Sequence, residues 1–278
     1  MGNDPSQAIH QSFLPASGPS RAHVWKFSLE YGGRRPRHFH AEPELNLIVA
    51  GTAIFGIGET VVCASAGELL GFPPGQDHVL LKSSPDLYLF AIGMDPIFSS
   101  TVLRRERDNV TVPLHIRLKS SDFRAMETRS AAIVDRSGVE QPSAELWEYA
   151  NWLRQQNAGR LNDATHVLTR RTLSLMADEP DIDRERLAGK LKTSPTAVSR
   201  YFHHDVGMTL VRYRTRLRLM RFMRLVDEGN ENLTVAAKSA GFGSYSQCHR
   251  VFQAELGCAP RQFFLSGVRQ QMQQAYEP

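Results

Sequence analysis

Cysteine is scarce in this chain: Cys63, Cys248 and Cys258 are the only three in 278 residues. Their positions show none of the paired spacings of a zinc cluster or a disulfide framework, so all three are expected to be reduced and mostly structural. Long apolar runs are missing too. No stretch of about 18 apolar residues occurs, which argues against a membrane-spanning helix. The opening MGNDPSQAIHQSFLPASGPSRAHVW has no basic segment followed by an apolar one, so no secretory signal is indicated. A cytoplasmic, nucleoid-associated protein with no membrane partner is the expectation. Strong net charge is also absent, at +4, and 41% hydrophobic with 22% charged content is ordinary for a folded chain. The charge is unevenly placed, however. Asp181 to Pro278 carries 15 Lys and Arg against 9 Asp and Glu, whereas the rest carries 18 against 20. Only the C-terminal portion is therefore suited to face a polyanion.

What is present divides the chain. Residues 1–20 are rich in Pro, Ser, Gln and Gly and read as a flexible tail. Over 21–112, short apolar runs (HVWKFSLEY, LNLIVAG, AIFGIG, TVVCA, ELLGF, HVLLK, LYLFAIG) recur every eight to twelve residues between Gly, Pro and polar turns. That rhythm predicts a β-barrel or sandwich. After Pro113 the spacing turns helical, with Phe123, Met126, Ile133, Leu146, Tyr149 and Leu153 falling three, four or seven apart in places. Residues 113–177 are expected to form a helical linker that packs on the barrel or pairs two copies in a homodimer. ADEPDID, residues 177–183, reads as a short linker, and residues 268–278 as a tail.

Residues 178–267 contain an internal repeat. TSPTAVSRYFHHDVGMTLVRY from Thr193 aligns with GSYSQCHRVFQAELGCAPRQF from Gly243 at an offset of fifty. Ser194 falls on Ser244, Arg200 on Arg250, Phe202 on Phe252, Gly207 on Gly257 and Tyr213 on Phe263. A small helix precedes each copy. Ser suits the N-cap, Pro195 the first turn and Gly the C-cap, so the pattern predicts two helix-turn-helix units. Val198 and Phe202 would face one core, Cys248 and Phe252 the other. Thr196, Ser199, Arg200 and His203 would then be presented by the first helix, and Tyr245, Gln247, His249, Arg250 and Gln253 by the second. These are residue types that hydrogen-bond base edges and phosphates of double-stranded DNA. Between the copies, RYRTRLRLMRFMRLV would turn Leu217, Met220 and Leu225 inward and leave six arginines for phosphates. Such a helix, about 24 Å long, would let the flanking helices reach successive major grooves about 34 Å apart.

From Asp181 to Leu265 the chain resembles the DNA-binding domain of AraC/XylS-type transcription regulators. Gly241-Phe242, Arg250, Phe252, Gly257, Pro260 and Phe263 carry the resemblance. Leu210, Ala236 and Cys248 depart from the family pattern, which implies looser packing of the second unit. The N-terminal run resembles a cupin barrel, the sensing domain of such regulators. Gly32, His38, His40, Glu44 and Gly51 match the first cupin motif at every spacing. Gly67, Pro73, Gly75 and His78 match the second, with Lys82 standing where an Asn is usual. Residues two apart on a strand share a face, so His38 and His40 can point inward together, joined by Glu44 and His78. That set suits a small-molecule effector or, alternatively, a divalent transition metal serving a metal sensor or a cupin enzyme. No further nucleophile, acid or base accompanies it, so turnover is not expected and no cofactor is required. The resemblance implies a bacterial-type α+β regulator of two domains: a cupin-like barrel, helices, then an all-α double helix-turn-helix acting with RNA polymerase.

Overall fold

Every apolar run between Ala22 and Met94 forms a strand in the computed structural model, which describes residues 8–10, 22–28, 36–94, 114–134, 166–229 and 232–265. The strands are β1 (Ile9–His10), β2 (Ala22–Ser28), β3 (His38–Phe39), β4 (Glu44–Ala50) and β5 (Thr52–Ile57), followed by β6 (Thr60–Ser65), β7 (Glu68–Phe72), β8 (His78–Ser83), β9 (Tyr88–Met94) and β10 (Leu114–Arg117). They build two five-stranded sheets, in the orders β1-β3-β8-β5-β6 and β10-β7-β4-β9-β2. No ladder joins the two among the described residues, so the expected barrel is an open pair of facing sheets.

Side chains alternate across β4, and that alternation places the site. Leu45 and Leu47 point to one face, where Leu69, Phe90 and Ile92 meet Met126. Ile48 points to the other, among Phe55, Leu70, Phe72 and Leu89, and Glu44 shares its face by the two-residue period. Met126 comes from α1 (Ser120–Val134), which lays Phe123 and Ile133 on the outer face as its spacing predicted. With both faces covered, β4 reads as a continuous apolar run.

Two expectations need correcting. Ile9–His10, inside the stretch read as a tail, pairs in parallel with His38–Phe39. Leu114–Arg117, inside the stretch read as helical, is an antiparallel edge strand on β7. Both pairings are with distant partners, which a local pattern does not reveal. Leu146, Tyr149, Leu153 and the suggested dimer surface lie outside the described residues.

The C-terminal half is helical: α2 (Val167–Asp178), α3 (Arg184–Leu191), α4 (Pro195–Val206), α5 (Leu210–Asp227), α6 (Leu233–Ser239), α7 (Tyr245–Leu256) and α8 (Pro260–Leu265). The caps fall where the repeat put them. Ser194 accepts from Ala197 N and Ser244 from Gln247 N, each at 3.1 Å. Gly207 and Gly257 close the helices at φ 70° and 72°, a left-handed conformation that glycine adopts without strain. Val198, Phe202 and Val206 are buried in one unit, and Cys248, Phe252 and Leu256 in the other, at the same offset. The small Ala236 and Cys248 are fully buried, beside a cluster in which Phe252 meets Phe222, Phe263 and Phe264 edge-on or tilted. Helix α2, placed by its sequence in the 113–177 segment, packs Leu173 and Met176 onto Leu187 and Val198 and so extends the first unit.

Candidate functional site

His38 ends up opposite His78 across the β3–β8 ladder, and Glu44 opens β4 on the facing sheet. The four sequence-predicted residues His38, His40, Glu44 and His78 come together, all buried, with one potential ligand atom from each lying within 4.8 Å of the others. The orientation of the imidazoles is fixed from behind. Nδ1 of His38 meets Pro36 O at 2.8 Å, that of His40 meets Glu42 O at 2.7 Å, and that of His78 meets Gln76 O at 3.2 Å. A carbonyl only accepts, so each Nδ1 carries the proton and each Nε2 is turned toward the cluster. His40 Nε2 is 2.9 Å from Glu44 Oε2; His78 Nε2 is 3.2 Å from the same oxygen but out of alignment for a hydrogen bond. Asn46 donates to the other oxygen of Glu44 at 2.6 Å, and Phe72 stacks on His78 at 4.4 Å.

The electrostatics follow. Burial, with His78 and His40 alongside, holds His38 well below the usual imidazole range, so it is neutral. Burial also acts to lower His40, but the hydrogen bond and charge of Glu44 outweigh it and raise the pKa. Against burial, the neighbouring His78 and His40 keep Glu44 well below the usual carboxylate range. The cluster is thus a carboxylate balanced by a proton on His40, with Nε2 of His38 free of one. Three nitrogens and an oxygen, backed by carbonyls and an amide, are a donor set that fits a divalent transition ion.

The residues expected to meet DNA lie on two surfaces fifty residues apart. Thr196, Arg200 and His203 are exposed on α4, with Ser199 half-buried; Gln247, Arg250 and Gln253 are exposed on α7, with Tyr245 and His249 half-buried. Two have a hydrogen-bond or ion-pair partner already, beside the ring contacts of Arg200 with Tyr201 and of Tyr245 with His249. Gln247 Oε1 accepts from Gly243 N at 2.9 Å, which makes it part of the helix cap, and His203 Nε2 lies 3.2 Å from Glu59 of the β5–β6 turn. The repeat also offers a residue the sequence reading passed over: exposed Ser246, the counterpart of Thr196.

The arginines of α5 depart from expectation. Arg212 and Arg216 hold Glu255, Arg214 donates to Ile182 O, Arg218 pairs with Asp181 and Arg224 with Glu228. Arg216 is fully buried. Carboxylates and a backbone carbonyl, most of them distant in sequence, compete for these cations, leaving exposed Arg221 as the one of the six without an intramolecular partner among the described residues.

Comparison with known proteins accords with this arrangement. Residues 30–164 match the model of the AraC-like ligand binding domain, and residues 187–266 match that of a helix-turn-helix domain. The chain belongs to the AraC family of transcription regulators. The curated relatives of this regulator include the HTH-type transcriptional activator RhaS of Citrobacter koseri, 23% identical over 247 residues that cover 81% of this chain and 86% of that one. RhaS of Klebsiella pneumoniae is 24% identical over 247 residues, with the same coverage of 81% and 86%. Among solved structures, ToxT of Vibrio cholerae aligns over 87% of this chain and 95% of its own at a TM-score of 0.44 and 12% identity. The regulator therefore pairs an N-terminal ligand-binding domain with a C-terminal helix-turn-helix DNA-binding region. No helix among its described residues is long and apolar enough to cross a membrane.

Proposed function

We propose that the regulator senses its ligand at His38, His40, Glu44 and His78, bound as or through a divalent transition ion, and reads an operator with α4 and α7. One observation carries the ligand site: three imidazoles, each pinned by a backbone carbonyl at Nδ1, turn Nε2 toward one buried carboxylate. His38, His40, Glu44 and His78 would hold such an ion, which would supply a positive charge beside the Glu44 carboxylate and would require His40 Nε2 to be free of a proton. Turnover forms no part of the proposal. The regulator would act on the nucleoid, contacting RNA polymerase and pairing with a second copy of itself.

Operator affinity measured by fluorescence anisotropy, with chelator and then with added zinc, tests the reading. A change of about 5- to 150-fold is expected, the range of ordinary allosteric coupling, and the variant His38→Ala/His40→Ala should not respond. Equal affinity with and without ion in the native protein rejects an ion-linked sensor.

On the DNA side, Arg200→Ala and Arg250→Ala should each weaken operator binding by about 1–3 kcal/mol if they read base edges. Equal loss on random duplex would make them phosphate contacts. Gln247→Ala should in addition lower the melting temperature slightly, because it removes a hydrogen bond to Gly243 N worth about 0.5–1.5 kcal/mol.

A further inference from the structure

The segment Pro73–His78 belongs to two structures at once. On one side it is part of the ligand site: it carries His78, Gln76 O orients that imidazole at 3.2 Å, and Gly75 N donates to the carbonyl of His40 at 2.8 Å. On the other side it seats the DNA-binding half. Arg216 of α5 donates to Asp77 Oδ1 at 2.5 Å and to Gly75 O at 3.2 Å, and Gln76 Nε2 donates to Val206 O, at the end of α4, at 2.7 Å. The guanidinium of Arg216 lies 4.4 Å over the ring of Phe39, the residue between His38 and His40. Its Nε reaches Glu255 of α7 at 2.9 Å. A single buried arginine thus ties the ligand-bearing loop to the second recognition helix, while Gln76 catches the end of the first. Alongside, Glu59 N donates to Gly207 O at 2.8 Å, and the Glu59 carboxylate stands against His203 on the DNA-facing side of α4.

We propose that Pro73–His78 is a latch: filling the His38/His40/Glu44/His78 site fixes this loop in its seated position and holds the DNA-binding half against the sheets, and emptying the site loosens that hold. The inference rests on the reading of the cluster as the ligand site. The four donors already lie within 4.8 Å of one another in the seated state. An ion at about 2.0–2.2 Å from each needs donors no more than about 4.4 Å apart, so binding would draw the four slightly closer and hold the loop through His78. A ligand that bonds one state better shifts the population toward it. The buried Arg216–Asp77 pair makes the seat discriminating, because parting the two strands charges that have little solvent access, and such interfaces switch between discrete states. The seated state sets a carboxylate beside a DNA-facing histidine, which disfavours a phosphate backbone, so the latched form is the weaker DNA binder.

Pulsed electron paramagnetic resonance tests this on the full chain, with nitroxides on exposed Cys63 and on Ser239→Cys; Cys248 and Cys258 are buried and stay unlabelled. Zinc, being diamagnetic, is the probe. In the native background zinc should sharpen the distance distribution and chelator should broaden it. Asp77→Asn should bind zinc at the same stoichiometry yet stay broad. Gly58→Ala provides a second route to the unseated state, because its Cβ would run into the Gly207 carbonyl; Gly58 N also donates to Asp77 O at 2.9 Å, so this variant is read together with its zinc stoichiometry. Sharpening of Asp77→Asn by zinc as in the native background, or no response of a native protein that does bind zinc, overturns the latch. If the native protein binds no zinc, the metal reading fails separately. The latch is then decided by Asp77→Asn alone, where a broader distribution upholds the mechanical link and an unchanged one overturns it.

Discussion

Protein purified without affinity tag or chelator should carry about one divalent transition ion per chain, and His38→Ala/His40→Ala should carry none while keeping its fold. The expectation follows from what the cluster costs without an ion. His38, His40 and His78 point nitrogens at a carboxylate that is itself buried, and one proton on His40 is a thin counterweight for so many acceptors. Removing a single supporting partner behind a metal ligand commonly costs about 10- to 100-fold in affinity. Deleting two of four ligands should cost more than either figure and empty the site at ordinary metal concentrations. Glu44→Gln keeps the shape and the three imidazoles and removes only the charge, so it should weaken binding without abolishing it. Elemental analysis of the three proteins, with circular dichroism to verify folding, decides the matter. An ion-free native protein, or equal metal in the double variant, would leave the cluster as a proton-held His40–Glu44 pair lining an organic effector pocket.

The members of the site were more legible in the sequence than the contacts that surround them. The cluster was legible because residues two apart on a strand share a face and the two motifs bring matched spacings, so His38, His40, Glu44 and His78 could be grouped before any fold was known. The double helix-turn-helix was legible for the same reason: caps, core and exposed positions recur at an offset of fifty. What the sequence concealed was complementarity over distance. Ile9–His10 looks like a tail until His38–Phe39 is beside it. The arginines of α5 look like a phosphate comb until Asp181, Glu255 and Asp77 are in place. Gln247 has the chemistry of an adenine reader, yet its carbonyl oxygen is already taken by Gly243 N. In the first two cases a local pattern gave the residue type its usual role and a partner far along the chain assigned another; for Gln247 the competing partner lies only four residues away.

Arg216→Ala should be the most destabilising substitution among the arginines of α5, by about 3–5 kcal/mol, the cost of removing one member of a buried ion pair. The side chain is 0% exposed and serves two carboxylates, Asp77 at 2.5 Å and Glu255 at 2.9 Å, while its guanidinium fills the space over Phe39. Alanine removes both pairings and the packing together. The loss is limited because Asp77 keeps Arg37 at 2.7 Å and Glu255 keeps Arg212 at 3.3 Å, which places the expected value toward the lower end. At about 2–4 °C per kcal/mol for a chain of this size, the helical unit should melt roughly 6–12 °C lower, followed by far-ultraviolet circular dichroism. Arg224→Ala supplies the contrast. Its pair with Glu228 is exposed at 3.6 Å, and such pairs contribute about 0–1 kcal/mol. If Arg216→Ala cost no more than Arg224→Ala, the buried network would be dispensable to the fold. If Arg216→Ala melts early and also abolishes the zinc response of operator binding, one side chain carries both the stability of the interface and the message across it.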